Sequence, residues 1–222
     1  MRIRKDSHLS HLSHLSHKKS LSYFAKENNE LILCKQQYWT MAERIISQSN
    51  GYERLLCYKK ARVIYDLTYH FCSRFVDKKD RTFDQMVQAA RSGKQNIVEG
   101  AVDGASSFEM ALKLTNVARG SLRELLEDYR DYLRVRGLNE WKSGSKEVEA
   151  MRRLGVENQE PEYFLSLAET RSDEVVANMV IVLLCQADTL IKRYLAYIEK
   201  RFTQEGGIKE RLYEARTKHR GY

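Results

Sequence analysis

Between Phe108 and Tyr132, apolar and small residues recur at spacings that alternate between three and four. This spacing matches the 3.6-residue turn of an α-helix and places every member on one face. The series is Phe108, Ala111, Thr115, Ala118, Leu122, Leu125, Tyr129 and Tyr132. A helix with one apolar face gains most of its stability by packing that face against other elements. The spacing therefore predicts an all-α fold with a shared helical core.

Three other segments carry the same periodicity and predict three more long helices. The segment from Tyr52 to Val76 has the series Cys57, Ala61, Ile64, Thr68, Phe71 and Phe75. The segment from Thr82 to Gly100 has the series Phe83, Met86, Val87, Ala90, Gly93 and Ile97. The segment from Ser172 to Phe202 has the series Val176, Val180, Leu183, Ala187, Leu190, Tyr194 and Ile198. Short connections after the first two helices favour antiparallel neighbours, and the pattern predicts an up-down four-helix bundle.

Capping residues predict where these helices begin and end. Thr82 is a suitable N-cap for the second helix, and Gly100 a suitable end. Ser106, with Glu109 three residues later, has the spacing of a capping box at the start of the third helix. Gly137 is expected to end that helix.

Small residues predict where helices approach closely. Ala89, Ala90 and Gly93 lie together on the second predicted helix and leave room for a neighbour. Gly120 lies inside the third predicted helix, where glycine costs about 1 kcal/mol relative to alanine, so we expect close packing there too. The pair Arg123 and Glu127 has the spacing of an ion pair on one helix face.

The chain divides into five parts. Residues 1–37 form a low-complexity tail that is expected to be disordered, and residues 38–137 hold the first three helices after a possible short helix near 38–46. Residues 138–171 form a long connection with short helices near 145–154 and 161–168. Residues 172–204 form the fourth helix, and residues 205–222 a basic suffix with a helix near 208–218.

The tail contains the repeat SHLSHLSHLSH, which is either an adventitious metal-binding tract or the result of repeat slippage.

The formal net charge of +8 is concentrated at the two ends of the chain. Residues 1–37 hold seven Lys/Arg and three Asp/Glu, giving +4, and residues 192–220 hold nine and four, giving +5. The sequence between these segments is close to neutral. Basic ends favour an acidic partner such as nucleic acid, although a solvated, soluble surface has the same composition.

No arrangement of residues predicts catalysis, a metal or a cofactor. The sequence contains no P-loop, dinucleotide-binding glycine motif, HExxH or nucleophile elbow. His70 is expected to be a packed or hydrogen-bonded residue, and Glu127 and Asp128 to be solvated helix charges. The cysteines form no CxxC pair, and Cys57, Cys72 and Cys185 are expected to be buried reduced thiols, as in a cytoplasmic protein. The longest apolar run, 179–185, is too short to span a membrane.

Two sequence stretches carry a family resemblance. The stretch DRTFDQMVQAARSGKQNIVEG (80–100) is followed by SSFEMALKLTNVARGSLRELLEDYRDYL (106–133). Together they resemble the four-helix-bundle protein family, which is also called the 23S rRNA intervening-sequence protein family. The stretches EWKSG (140–144) and FTQEGGIKERLYEAR (202–216) resemble its longer subgroup with a C-terminal suffix. The resemblance covers about 51–216 and does not include residues 1–37.

The resemblance implies a helical bundle without established catalytic activity, and in some members a barrel-like homopentamer. One branch acts as an accessory protein to the reverse transcriptase of diversity-generating retroelements, where it binds nucleic acid and the enzyme. Other members are encoded inside intervening sequences of ribosomal RNA genes. The resemblance therefore makes RNA or DNA, a reverse transcriptase and further copies of the chain the expected partners.

Two functions remain open. The first is a homo-oligomer that binds nucleic acid without sequence preference. Its candidate contacts are Arg81, Arg91, Lys94, Lys113, Arg119, Arg123, Lys192, Arg193, Lys200, Arg201, Lys209 and Arg211. The second is a protein-interaction scaffold, in which these residues are solvated faces or subunit contacts. The residues expected to face a partner chain are Leu126, Leu133, Val135 and Ile191.

Overall fold

The computed structural model describes residues 51–103, 107–205, 213 and 217, and those between 51 and 205 contain helices and no β-strand. The helices are α1 (Leu56–Phe75), α2 (Arg81–Asp103), α3 (Phe108–Val135), α4 (Lys146–Glu157), α5 (Pro161–Ala168) and α6 (Asp173–Glu205). A 3₁₀ turn, Tyr52–Arg54, precedes α1. The prediction of an all-α fold is confirmed. The tail 1–37 and the short helices expected near 38–46 and 208–218 lie outside the described residues.

The four long helices pack in a closed ring in which α1 and α3 each contact both α2 and α6. On α1 and α2, the Sγ of Cys72 lies 3.9 Å from the Sδ of Met86. The ammonium of Lys94, farther along α2, lies over the ring of Tyr65, earlier on α1. This order of contacts makes α1 and α2 antiparallel.

The apolar series of α3 supplies one side of the core, and all eight of its members are buried. Phe71 of α1 packs against two of them, with its ring centroid 5.0 Å from that of Tyr129 and 4.8 Å from that of Tyr132. The series of α6 differs from the expectation at two positions, because Leu190 and Tyr194 are only half-buried while Ile191, beside the series, is buried. Helix α6 is packed on more than one side, so its buried surface is wider than a single seam.

Three predicted helix boundaries are wrong. Helix α2 begins one residue before Thr82, whose backbone N–H donates to the carboxylate of Asp80 at 2.9 Å. It also continues past Gly100 to Asp103, because nothing in the local sequence forces a break there. Ser107 caps α3 and accepts a hydrogen bond from the backbone of Met110, one residue after the predicted cap Ser106, which lies outside the described residues.

The predicted end of α3 at Gly137 is confirmed. Gly137 has a φ of +67°, a left-handed conformation that glycine adopts without the strain a Cβ would add. The backbone N–H of Leu138 then donates to the carbonyl of Leu133 at 2.9 Å, and that of Gly137 to Arg134 at 3.2 Å. This pair of bonds is a Schellman motif, which satisfies carbonyls left over at the helix end.

The connection between α3 and α6 contains two short helices, as predicted, which we call the α4–α5 arm (146–168). Helix α4 contacts α6, and α5 contacts α1. Ser145 caps α4 by accepting from the backbone of Val148, and Pro161 begins α5, where no intrahelical donor is needed. The side chain of Asn178 on α6 holds the chain before the arm, since it accepts from the backbone of Trp141 and donates to the carbonyl of Asn139.

Within the described part of the chain, one helix is long and apolar enough to cross a membrane by length and composition. This helix is α6, and 61% of its most apolar 18-residue stretch is buried inside the protein. The core helix of a soluble protein meets the same criterion, and packing against α1 and α3 accounts for the apolar surface of α6.

Candidate nucleic-acid interface

Basic residues gather where the C-terminal turns of α6 meet the start of α3. The rings of Phe108 on α3 and Phe202 on α6 lie 6.3 Å apart, and Phe108, Ala111 and Ile198 form an apolar cluster between the helices. Residues 189–204 of α6 carry four Lys/Arg and one Glu, which gives +3. We call Lys113, Arg193, Lys200 and Arg201 the α3–α6 basic end.

The four members of the α3–α6 basic end differ in exposure. Lys113, Arg193 and Lys200 are exposed. Arg201 is half-buried, and its guanidinium lies 5.1 Å from the ring centroid of Phe108 and 6.0 Å from that of Tyr197. Its position over two rings fixes the guanidinium at the surface between the helices. The exposed members carry charge into solvent, where phosphates are accessible.

Two other sequence-predicted contacts, the mostly buried Arg119 and the exposed Lys192, share an ion-pair network with Asp188. Arg119 of α3 donates to the Asp188 carboxylate at 2.7 Å, and Lys192 binds its other oxygen at 2.7 Å. Burial alone would raise the pKa of Asp188, but the hydrogen bonds from Lys192 and Arg119 outweigh it and lower that pKa. Arg119 therefore joins α3 to α6 and is not a solvated contact. The spacing of Asp188 and Lys192 could have indicated this pair, whereas nothing local pointed to Arg119.

The candidate contacts predicted on α2, Arg81, Arg91 and Lys94, do not form a continuous basic surface. Arg81 and Arg91 are exposed, but the ammonium of Lys94 lies 4.1 Å from the ring centroid of Tyr65. Burial raises the pKa of Asp66, and the nearby charge of Lys94 opposes this rise without cancelling it. Lys94 thus packs on α1, and Arg91 is left without a basic neighbour on the same face.

An open groove of about 730 Å³ runs between α2 and α3, and we call it the α2–α3 groove. Its lining residues are Arg81, Asp84, Gln85, Gln88, Ala89, Ser92, Ser121, Glu124 and Asp128. Three carboxylates against one guanidinium make this surface acidic. The pKa of Asp128 is raised by burial first and then by the neighbouring charges of Glu124 and Asp131. The charge of the groove opposes phosphate binding, which sequence reasoning missed because it considered α2 without the facing carboxylates of α3.

The remaining predicted contacts fall into two groups. Arg123 is exposed, but the structure pairs Glu127 with Arg130 at 2.9 Å instead of with Arg123. Lys209 and Arg211 lie outside the described residues, as does most of the basic suffix.

Of the residues predicted to face a partner chain, Leu133 and Ile191 do not do so, because both are buried within the ring, at 2% and 0% exposure. Leu126 is half-buried and Val135 is exposed.

No cluster of three His, Cys, Asp or Glu suited to a metal occurs among the described residues. Burial raises the pKa of both Cys57 and Cys72 to about 12, which keeps these thiols protonated. Cys185 is exposed rather than buried, which corrects the expectation. The Nε2 of His70 lies 3.3 Å from the guanidinium of Arg74, consistent with the hydrogen-bonded role expected for it.

Comparisons with protein families, with curated proteins and with solved structures give no match to this chain.

Proposed function

We propose that the protein is a non-catalytic, homo-oligomeric accessory protein that binds the backbone of RNA or DNA through the α3–α6 basic end. The observation that carries this proposal is the pair of exposed cations Arg193 and Lys200 on the C-terminal turns of α6, where α6 packs against the start of α3. Lysine and arginine bind phosphates without reading bases, so the binding is independent of sequence and sensitive to salt.

The suffix strengthens the proposal because it continues from the same end of α6. Residues 205–222 hold five Lys/Arg and three Glu, which adds +2 in the sequence that follows the basic end. The interleaved aromatic residues Tyr197 and Phe202 hold α6 against α3 and keep the cations on one surface. An oligomer presents this surface once per subunit, so weak contacts add up along one nucleic acid. The family resemblance makes a reverse transcriptase a proposed protein partner in the cytoplasm.

A salt series tests the proposal most directly. Fluorescence anisotropy with a labelled single-stranded RNA and a labelled DNA duplex is measured between about 50 and 200 mM salt, concentrations at which phosphate contacts change affinity steeply. For the duplex, log affinity is expected to fall with log salt by about 0.9 per phosphate neutralised. Absence of binding at the lowest salt contradicts the proposal.

A matched pair of double variants locates the interface. Arg193→Gln with Lys200→Gln is expected to weaken binding at least about tenfold and to flatten the salt slope by about two phosphate contacts. Lys78→Gln with Lys79→Gln removes the same charge from two exposed lysines between α1 and α2, and is expected to retain the affinity. Equal loss in both variants would show that net charge, not this surface, causes binding.

A third double variant separates α2 from the basic end. Because Lys94 packs on Tyr65 and Arg91 has no basic neighbour on its face, Arg91→Gln with Lys94→Gln is expected to change affinity less than twofold. A loss as large as that of the basic-end variant would move the interface to α2. Far-ultraviolet circular dichroism checks that each variant is folded.

The oligomer is tested by multi-angle light scattering on the full chain. Exposed apolar side chains on α3, including Met110, Val117 and Val135, offer surface for contact between copies. We expect a mass that is a multiple of the 26.0 kDa chain. A monomer at micromolar concentration would contradict this part of the proposal.

A protein-interaction scaffold is the second candidate function, and the α2–α3 groove favours it. The groove has the concave shape and acidic charge that suit a basic protein segment, and its charge disfavours nucleic acid. In this case Glu124→Gln with Asp128→Asn weakens capture of the protein partner, while the basic-end variant does not.

A further inference from the structure

Three cations of α1 hold the α4–α5 arm. The Lys60 ammonium donates to the main-chain carbonyl of Gly155, in the last turn of α4. The guanidinium of Arg74 donates to the carbonyl of Ala168, the last residue of α5, at 2.9 Å. A helix C-terminus carries partial negative charge on its free carbonyls, so a cation at that position is favourable. Arg62 completes the set by pairing with Glu160 between the two arm helices.

Lys60 makes this attachment weak in spite of its hydrogen bond. The residue is 1% exposed, and no carboxylate in the described part of the chain pairs with its ammonium. The only other favourable contact described is the ring of Phe164 on α5, whose centroid lies 5.7 Å from Nζ. Burial lowers the pKa of Lys60 to about 8, so the lysine is mostly charged near neutral pH and loses hydration when the arm closes over it.

Other buried polar atoms between the arm and the ring, which together with Lys60 form what we call the junction, also lack hydrogen-bond partners. The buried polar atoms Nε of Arg62, Oε1 of Gln159 and Oε1 of Gln186 reach no hydrogen-bond partner in the described part of the protein. Gln186 of α6 does donate through its Nε2 to the carbonyl of Arg152 at 2.8 Å, so one bond joins α4 to the ring. Each buried polar atom left unpaired opposes closure of the arm.

The chain on both sides of the arm permits movement. Gly144 has a φ of +81° with nothing within 4 Å of the position a Cβ would take, and it lies between the segment held by Asn178 and the start of α4. At the other end, residues 169–172 join α5 to α6 without helical structure. Both helices of the arm can therefore move together while their own backbone hydrogen bonds remain intact.

We propose that the α4–α5 arm is a lid that opens from α1 as one unit, without unfolding the ring, uncovers the buried Lys60 and releases the partly exposed Arg62 and the exposed Arg74 from their partners on the arm. The apolar side chains of Phe164 and Ala168 favour the closed state. The uncompensated charge of Lys60 and the unpaired polar atoms oppose it. Lys60 and Arg74 lie fourteen residues apart on α1, about 21 Å at 1.5 Å per residue, so opening frees cations along this length of the helix from their partners on the arm.

Hydrogen exchange followed by mass spectrometry on the full chain at pH 7 tests this proposal. Backbone amides of α4 and α5 are expected to exchange at least about tenfold faster than those of α1 and α3, because they open below the free energy of global unfolding. Equal protection in the arm and the ring would overturn the proposal, since the arm would then open only when the whole chain unfolds.

Three variants assign the effect to the junction. Lys60→Met keeps most of the length of the side chain and removes the buried charge, so it is expected to slow exchange in the arm about tenfold. Lys59→Met is the matched control on a half-buried neighbour and is expected to leave the arm unchanged. Arg74→Gln removes the cation from the end of α5 and is expected to speed arm exchange while the ring is unaffected.

Two results would overturn the proposal. The first is faster arm exchange in Lys60→Met, because the ammonium would then hold the arm closed. The second is unchanged arm exchange in both Lys60→Met and Arg74→Gln.

Discussion

Gly93 on α2 lies directly against the side chain of Leu122 on α3. A Cβ on Gly93 would come within 2.5 Å of Cδ2 and 2.6 Å of Cγ of Leu122. Leu122 is itself buried and belongs to the predicted apolar series of α3. The absence of a side chain at this position therefore allows α2 and α3 to approach as closely as they do.

Gly93→Ala is expected to destabilise the protein by up to about 2 kcal/mol. Overpacking of a core typically costs ~1–3 kcal/mol, and the gain in helix propensity from alanine offsets about 1 kcal/mol of that. Gly120→Ala is the matched control, because Gly120 is exposed and nothing lies within 4 Å of the point its Cβ would occupy. It is expected to stabilise by about 0.5–1 kcal/mol. Urea denaturation measures both, and a stabilised Gly93→Ala variant would contradict the packing argument.

These two glycines show what could be predicted from the sequence. Gly93 belongs to an apolar series at helical spacing, and the expectation of a close approach there is correct. The expectation of close packing at Gly120 rests only on its place inside a helix, and it is wrong because the position faces solvent. The periodicity around a residue indicates which face it lies on, whereas its propensity cost does not.

The side-chain contacts between residues far apart in the sequence are the part of the structure that could not be predicted. The local pattern indicates each of the six α-helices described, since each has its own periodicity or capping residues. No local pattern relates Lys60 to Gly155, or Arg119 to Asp188, because these pairs form only when the arm and α6 fold back on the ring. For the same reason, the basic residues of the candidate site could be named but not divided into solvated and paired ones.

Asp188→Asn is expected to cost about 1–2 kcal/mol of unfolding free energy at pH 7. The variant loses the charge that Arg119 and Lys192 both bind, at a carboxylate that is only 25% exposed. Asp131→Asn is the control, because Asp131 and Arg134 form a pair with exposed side chains, and such pairs contribute about 0–1 kcal/mol. Equal effects in the two variants would show that the Asp188 network contributes no more than a surface pair.

The contribution of Asp188 is also expected to depend on pH. Its pKa in the folded state lies below the ordinary 3.8, so the unfolded chain takes up the proton first as pH falls. The stabilisation is fully present above about pH 5 and is lost as pH falls through the folded pKa. Urea denaturation of wild type and Asp188→Asn between pH 7 and pH 3 should therefore give stabilities that converge at the acidic end. A constant difference across this range would assign the effect to packing rather than charge.

The cysteines are expected to react with a thiol reagent at very different rates. Cys57 and Cys72 are buried and have pKa values raised to about 12, so both accessibility and thiolate content are low. Cys185 is exposed, although burial of its sulfur also raises its pKa. In a Cys34→Ser background, we expect one thiol to react readily at pH 8 and two to react only when urea unfolds the chain. Replacing Cys185 with serine should remove the readily reacting thiol, and its persistence would contradict the assignment.

Residues 1–37 are expected to be dispensable for folding. They lack helical periodicity, lie outside the family pattern and consist partly of a strict three-residue repeat. Within the described residues, α1 packs against both α2 and α6, so the ring helices cover its apolar face. A chain that begins at Tyr38 should therefore keep the helical circular dichroism signal and a melting temperature within a few degrees of the full chain, since a change of 1 kcal/mol shifts it by about 2–4 °C at this size. A matched chain in which His8, His11, His14 and His17 are replaced by serine separates the repeat from the rest of the tail. If deletion lowers the melting temperature by ten degrees or more while the histidine variant does not, the tail contributes contacts to the fold and the prediction is wrong.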